Sequence, residues 1–207
     1  MLARVSNVEA YRQWKNWTPL FEGQDEPTVE DLVKFITSDE PTEAMKAGTA
    51  FHKAMELARD GSYETFEANG YRFILPDAEI SLPEIREMRA FRAYGGLTVT
   101  GQVDCVEGKI VIDHKTTSKF DPDRYLAGYQ WRFYLDIFGA DEFRWNVWVI
   151  KELEEKVYSV AAPQELKACR YPEMHDDCEA LAVDYLDFAR KHLQEEVPQI
   201  ARFLLAG

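Results

Sequence analysis

Apolar positions recur at helical spacing through the first third of the chain. Val8, Tyr11 and Trp14 stand three residues apart and predict a helix from Ser6 to Trp17, which Ser6 or Asn7 can cap. After Pro27, the residues Val29, Leu32, Val33 and Ile36 share one side of a second helix, and Met45, Thr49, His52 and Met55 mark a third from Pro41 to Arg59, ending before Gly61. From about Glu67 the period falls to two. Tyr71, Phe73 and Leu75 alternate with polar residues up to Pro76, and Met88, Phe91, Leu97, Val99 and Val103 lie in strand-like runs around Gly95-Gly96, which together read as a β-meander. The best hairpin signal joins Thr98 to Asp104, a turn at Glu107-Gly108, and Lys109 to Lys115. Beyond it the pattern predicts a helix from about Pro122 to Phe138, a strand pair around Phe143 to Ile150 and Lys156 to Val160, and a last helix from about His175 to His192. Pro198 breaks or kinks the final segment.

This order predicts an α/β (α+β) domain with a mixed central β-sheet and flanking helices. A length of 207 residues suits one domain, with a mainly helical part over about 1–60 and a carboxy-terminal helix over about 175–205. Because 46% of the residues are hydrophobic and 13% aromatic, such a domain can bury a core. No internal repeat is visible. The first residues lack the uninterrupted apolar stretch of a signal peptide, and no segment reaches the roughly 18 apolar residues of a membrane span, so the expectation is a cytoplasmic protein with no membrane partner. Cys105, Cys169 and Cys178 are too scattered for a disulfide framework and form no CxxC pair, which leaves buried or idle thiols.

The hairpin carries the chemistry. With a two-residue turn at Glu107-Gly108, Val106 pairs with Lys109 and Asp104 with Val111, so Asp113 lies diagonally from Asp104. Alternation then puts Val111, Asp113 and Lys115 on the face shared with Asp104. Diagonal neighbours lie about 7–8 Å apart at the backbone, within reach for two carboxylates to hold one hard cation. Lys115 projects from the same face, where an ammonium can hold a nucleophile and stabilise growing negative charge. The His114 carbonyl offers a further oxygen ligand.

Four segments in this order resemble the RecB-like and lambda-exonuclease-like (phage-type exonuclease) branch of the PD-(D/E)xK nuclease superfamily. Gly48-Thr49-Ala50-Phe51-His52 is similar to its GxxxH helix, Gly101-Gln102-Val103-Asp104 to its GxxD strand, Ile112 to Thr117 to its DxK strand, and Gln130 to Tyr134 to its QxxxY helix. The resemblance covers roughly residues 45–150. It implies a restriction-endonuclease-like core in which Asp104 and Asp113 bind Mg²⁺ or Mn²⁺, Lys115 activates water and His52 assists at the metal. It also implies that Gln130 and Tyr134 order the site, and that a glutamate on the preceding strand, Glu87 or else Glu84, completes it. The implied function is hydrolysis of DNA phosphodiester bonds, as an exonuclease in recombination, repair or phage DNA processing. A structure-selective endonuclease and a non-cleaving DNA-binding or assembly subunit are the alternatives. Besides single- or double-stranded DNA, the candidate partners are further copies of the chain and a recombination protein. Relatives that carry an iron–sulfur cluster have three cysteines near the carboxy terminus. Only Cys169 and Cys178 lie there in this chain, so no such cluster is expected.

Charge is the poor fit. With 24 basic against 37 acidic residues the net charge is −13, so contact with a polyanion requires local basicity. Arg86, Arg89, Arg92, Lys119, Arg124 and Arg132 lie closest in sequence to the motifs and are expected to supply the rim of the site. Trp14 and Trp17 could stack on unpaired bases, although helix packing is the simpler role.

Overall fold

The computed structural model describes residues 1–193 apart from 20, 39, 60, 77–78 and 81–84, and at 79–80 it describes the backbone alone. The chain opens with a short strand, β1 (Leu2–Arg4), and passes directly into α1 (Val5–Lys15). Ser6 and Asn7 therefore do not cap it. Arg4 occupies the cap position without a side-chain cap hydrogen bond, because the strand before it is already held in parallel against Thr98–Thr100. The helix α2 (Val29–Thr37) starts at a reciprocal box, in which Asp31 N–H donates to the Thr28 hydroxyl and Thr28 N–H to the Asp31 carboxylate, at 3.2 and 2.9 Å. Thr42 likewise accepts the Met45 amide at the start of α3 (Glu43–Leu57).

Strands follow. β2 (Gly61–Ser62) pairs with β5 (Glu79–Ile80) in a ladder of its own, while β3 (Thr65–Ala68) and β4 (Tyr71–Ile74) form a hairpin. β6 (Ile85–Tyr94), β7 (Leu97–Glu107) and β8 (Ile110–Thr117) are consecutive antiparallel strands. The expected meander is thus divided. β6 to β8 keep it, but β4 pairs in parallel with β10 (Val157–Val160) on the far side of the sheet. Between them lie α4 (Pro122–Ala127), α5 (Gln130–Phe138) and β9 (Glu142–Glu154), and after them β11 (Gln164–Cys169) and α6 (Met174–His192). The nine-stranded sheet runs β1-β7-β8-β9-β10-β4-β3, with β6 on β7 and β11 on β9. It mixes parallel and antiparallel neighbours, as the order of elements predicts. β8 and β9 are parallel, which requires the α4–α5 crossover between them.

Alternation along β9 places helices on both faces. Phe143, Trp145 and Val147 join the core beneath α1, α5 and α6, whereas Trp148 packs with Phe51 of α3 and Phe73 of β4. Phe51 is fully buried, with ring centroids 5.2 Å from Phe73 and 5.5 Å from Trp148.

The single helix expected over Pro122 to Phe138 is two. Gly128 is extended (φ −66°, ψ 157°), and the Tyr129 amide leaves the helical pattern to donate to the Glu9 carboxylate of α1 at 2.8 Å. Gly128 is only a weak local signal of this break, and the deciding acceptor lies 120 residues away. The final helix begins at Met174 and is described to His192, so Pro198 and the remainder of the expected 175–205 segment lie outside the described residues. Among the described residues no helix is long and apolar enough to cross a membrane.

Candidate active site where two strands diverge

β7 and β8 pair through Glu107↔Ile110, Val106↔Val111 and Cys105↔Ile112, turning at Gly108-Lys109 rather than Glu107-Gly108. The expected register is therefore off by two residues, and one further step of the ladder sets Asp104 level with Asp113 instead of Val111. Since side chains repeat every two residues, the facing is unchanged. At that step the strands part. On this side β7 goes on to pair with β1, while β8 runs on beside β9. The Asp104 carboxylate bridges the opening and accepts the His114 amide at 2.6 Å, satisfying a donor that the ladder no longer serves.

Asp113 and Lys115 form the centre. Lys115 Nζ lies 3.2 Å from Asp113 Oδ1 and 3.0 Å from Oδ2. Only Oδ1 has hydrogen-bond geometry, so Oδ2 is buried without a hydrogen bond. From the other side His52 brings Nδ1 to 3.4 Å from Asp104 Oδ2. The glycine of that helix motif has a steric reason, because a Cβ on Gly48 would stand 3.2 Å from the Thr116 hydroxyl. Between α3 and the strand ends opens a cleft of about 700 Å³, lined by His52, Lys53, Glu56, Glu87, Asp104 and Lys115 among others. Behind it lies a cavity of about 10 Å³, the size of one water, reached by His52, Glu87, Asp104 and His114.

The two carboxylates differ in kind. Burial pushes Asp113 up to about 6, a shift that Lys115 opposes and the Asp104 charge adds to. Burial also acts on Asp104, but the His52 hydrogen bond and charge, Lys115 and the His114 amide outweigh it and hold Asp104 at about 2. In return Asp104 raises His52, overcoming the burial that would lower it. Desolvation lowers the half-buried Lys115 ammonium, but the Asp113 charge outweighs it and raises the lysine above its ordinary value. Burial takes His114 down to about 4, so its ring is neutral, and pushes the Tyr134 phenol up to about 12.

Glu87 lines both the cleft and the inner cavity with Asp104 and His52, and hydrogen-bonds Gln102. Glu84 lies outside the described residues. Glu87 holds φ +54°, a left-handed conformation that costs a non-glycine residue about 1–2 kcal/mol. Strain at a residue facing Asp104 implies a trade of stability for placement. Glu87→Gly should leave the urea midpoint unchanged or raise it while impairing any activity of the site. An unfolding free energy lowered by more than about 1 kcal/mol would show that the glutamate stabilises the fold instead.

Gln130 Nε2 donates to the Tyr134 hydroxyl at 3.2 Å, and the Tyr134 phenol feels the charges of both Asp113 and Lys115. Tyr134 reaches this place by lying across Gly101, where a Cβ would come within 2.6 Å of the ring. Two of the sequence motifs thus depend on one contact. Gly101→Ala forces the ring aside, and the expected cost is about 1–3 kcal/mol together with altered site chemistry. A crystal structure of the variant showing an unmoved Tyr134 would refute this.

The basic rim is a correction. Arg86 donates to the Glu56 and Ala58 carbonyls, Arg89 to Gln102, and Arg92 to the Asp136 carbonyl. Arg132 donates to the Gly128 carbonyl and stacks over Tyr129 and Trp131. These arginines brace the fold, and Arg89, Lys119, Arg124 and Arg132 do not line the cleft. Its cations are Lys53 and Lys115, its acids Glu56, Glu87 and Asp104, and the His52 imidazole lines it between them. Trp14 packs against Tyr11 and Phe188 and donates to the Pro27 carbonyl, so it is a core residue. Sequence reasoning missed Lys53 and Glu56, although Glu56 stands one helical turn beyond His52 and that spacing was a usable signal.

Among the described residues no three His, Cys, Asp or Glu side chains stand at metal-ligating geometry. The donors nevertheless suit a hard divalent cation. They are two carboxylates and one imidazole, and Asp113 Oδ2 has hydrogen-bonding capacity left unused in the interior. No family model and no curated protein matches the chain. Among solved structures, the crystal structure of SSO0001 is similar over 54% of this chain and 50% of that one, at 21% identity and a TM-score of 0.36, so the likeness spans about half the length of each.

Proposed function

We propose that this protein is a metal-dependent DNA nuclease of the PD-(D/E)xK type, with Asp104, Asp113 and Lys115 at its centre. The observation that carries the reading is the parting of β7 and β8, which leaves Asp104 level with Asp113, and Asp113 with a buried oxygen lacking a hydrogen bond beside an ammonium. Asp104, Asp113, the His114 carbonyl and His52 would hold Mg²⁺ or Mn²⁺, and such an ion supplies Lewis acidity at the scissile phosphate. Lys115, fixed by Asp113, would donate hydrogen bonds that orient an attacking water and stabilise the developing negative charge. Tyr134, protonated and braced by Gln130, would help to order the site. Glu87 closes the wall opposite Asp104. The reading places the protein in the cytoplasm, acting on DNA ends in recombination, repair or phage DNA processing as an exonuclease.

One observation favours the non-cleaving alternative. With Arg89, Lys119, Arg124 and Arg132 away from the cleft, Arg86 engaged by backbone carbonyls and a net charge of −13, the cleft offers little phosphate affinity of its own, so a recombination protein or further copies of the chain would have to supply it. Incubation of end-labelled linear and circular DNA with Mg²⁺ or Mn²⁺, beside EDTA controls, decides the matter. Loss of label from linear DNA alone supports an exonuclease, and cutting of circles an endonuclease. No metal-dependent cleavage at low salt refutes the nuclease reading for the isolated chain.

A further inference from the structure

The α5 helix carries Gln130 and Tyr134, yet it has no cap of its own. Its cap residue is Tyr129, whose side chain makes no capping hydrogen bond, and no acidic residue lies in its first turn. The missing acceptor comes from the far end of the sequence. Glu9 of α1 is 9% exposed, and its carboxylate accepts the Tyr129 amide at 2.8 Å, Arg12 at 2.7 Å and Gln13 at 3.0 Å. A carboxylate at this point complements the positive end of the helix dipole. It also fixes where the helix begins, because the α4–α5 break falls at the residue it binds, and a Cβ on Gly128 would already lie 3.5 Å from Glu9 Oε1. Arg12 and Arg132 approach the Tyr129 ring at 5.8 and 4.2 Å, so the junction is held by charge and by stacking. Gln130 is the next residue along, and it hydrogen-bonds the Tyr134 phenol, whose ring lies across Gly101 on the strand that carries Asp104.

We infer that Glu9 is a positioning residue, setting the start of α5 and through it the placement of Gln130 and Tyr134 against the Asp113–Lys115 pair. The inference deepens the proposed function, since it gives the amino-terminal helix a part in the site, and it rests on that reading for its kinetic consequence. A shift of about 1 Å at a positioned group can cost on the order of a hundredfold in rate. Glu9→Ala should therefore lower kcat by about ten- to a hundredfold with little change in KM. Glu9→Gln keeps an oxygen for the Tyr129 amide and should recover most of that loss.

The test is a double-mutant cycle with Gln130→Ala, measured as metal-dependent DNA cleavage, beside hydrogen exchange of the 129–134 amides in each variant. If Glu9 acts through α5, Glu9→Ala costs little further rate in the Gln130→Ala background, and exchange quickens at 129–134 while β7 and β8 stay protected. Multiplicative rate losses, or a Glu9→Ala protein that exchanges like wild type over 129–134, overturn the inference. Should the wild-type chain cut no DNA, the nuclease reading fails, and the exchange comparison still decides whether Glu9 holds this helix start.

Discussion

Asp113→Asn and Lys115→Ala are each expected to abolish metal-dependent DNA cleavage and leave the fold standing. The two variants fail for different reasons. The amide introduced by Asp113→Asn keeps the shape of the side chain but loses the charge that attracts a cation, while Lys115 retains the neighbouring Asp104 as a counter-charge. Removing Lys115 does two things at once. It takes away the ammonium, a loss on the order of 10²–10³-fold by comparison with other charge-stabilising donors, and it leaves Asp113 in the interior without the cation that opposes its burial. Burial already raises the Asp113 carboxyl, and Lys115 opposes that shift, so without the ammonium the carboxyl moves further up and its charged form is disfavoured. Lys115→Ala should therefore bind Mn²⁺ more weakly than wild type in calorimetry, although lysine is no metal ligand. Lys115→Arg restores charge but not the compact ammonium and should not recover the rate. Cleavage near the wild-type rate by either purified variant would sink the assignment.

What the sequence showed of this site and what it hid divide along one line, the distance over which the information acts. Alternation is local, so Asp104, Asp113 and Lys115 fall on a common face whether the turn is set at Glu107-Gly108 or at Gly108-Lys109. A two-residue slip in register cannot change facing. The GxxxH glycine and the GxxD glycine are visible as residues, but their purpose is not. Each meets a partner on another element, the Tyr134 ring within a forbidden 2.6 Å of a Cβ on Gly101 and the Thr116 hydroxyl at a tight 3.2 Å from one on Gly48. The break in the Pro122 to Phe138 segment has the same origin, since Gly128 alone is a weak signal and the deciding acceptor is Glu9. β1 and β11 escape because one is three residues long and the other, Gln164–Cys169, alternates only around Leu166 and Ala168. The arginines mislead for the opposite reason. Nearness to a motif in sequence does not amount to nearness to the cleft, because a guanidinium with five donors serves equally well to satisfy helix-end carbonyls, as Arg86 does for Glu56 and Ala58.

The largest loss of stability is expected at a residue with no motif at all. Asp136 is 1% exposed on α5, where periodicity alone marks it as an ordinary polar position. Its carboxylate gathers four partners from three other segments. Tyr94 donates its hydroxyl at 2.9 Å, His175 Nδ1 lies at 2.8 Å, Arg92 Nε at 3.2 Å and Arg170 Nη1 at 3.3 Å. Arg170 also donates to the Ala140 and Leu135 carbonyls at the end of the same helix, so this cluster clamps the carboxy-terminal end of α5 as Glu9 holds its start. Asp136→Ala strands a buried phenol and removes the common counter-charge. Removing one partner of a buried pair costs about 3–5 kcal/mol, but Arg92, Arg170 and His175 are 32–41% exposed and can turn to water, which brings the expected loss to about 2–4 kcal/mol. The pH dependence follows from the carboxyl group. Burial would raise it, yet the His175 and Tyr94 hydrogen bonds and the Arg92 charge prevail and hold it below its ordinary value. A depressed folded-state pKa means stability that is fully present above the unfolded value, near 3.9, and lost as pH falls through the folded one. Urea denaturation of wild type and Asp136→Asn should therefore differ most at pH 6–7 and draw together as pH falls through the folded-state pKa of the carboxyl. A gap between the two proteins that stays constant down to pH 2.5 would mean that the carboxylate charge is not what the cluster depends on.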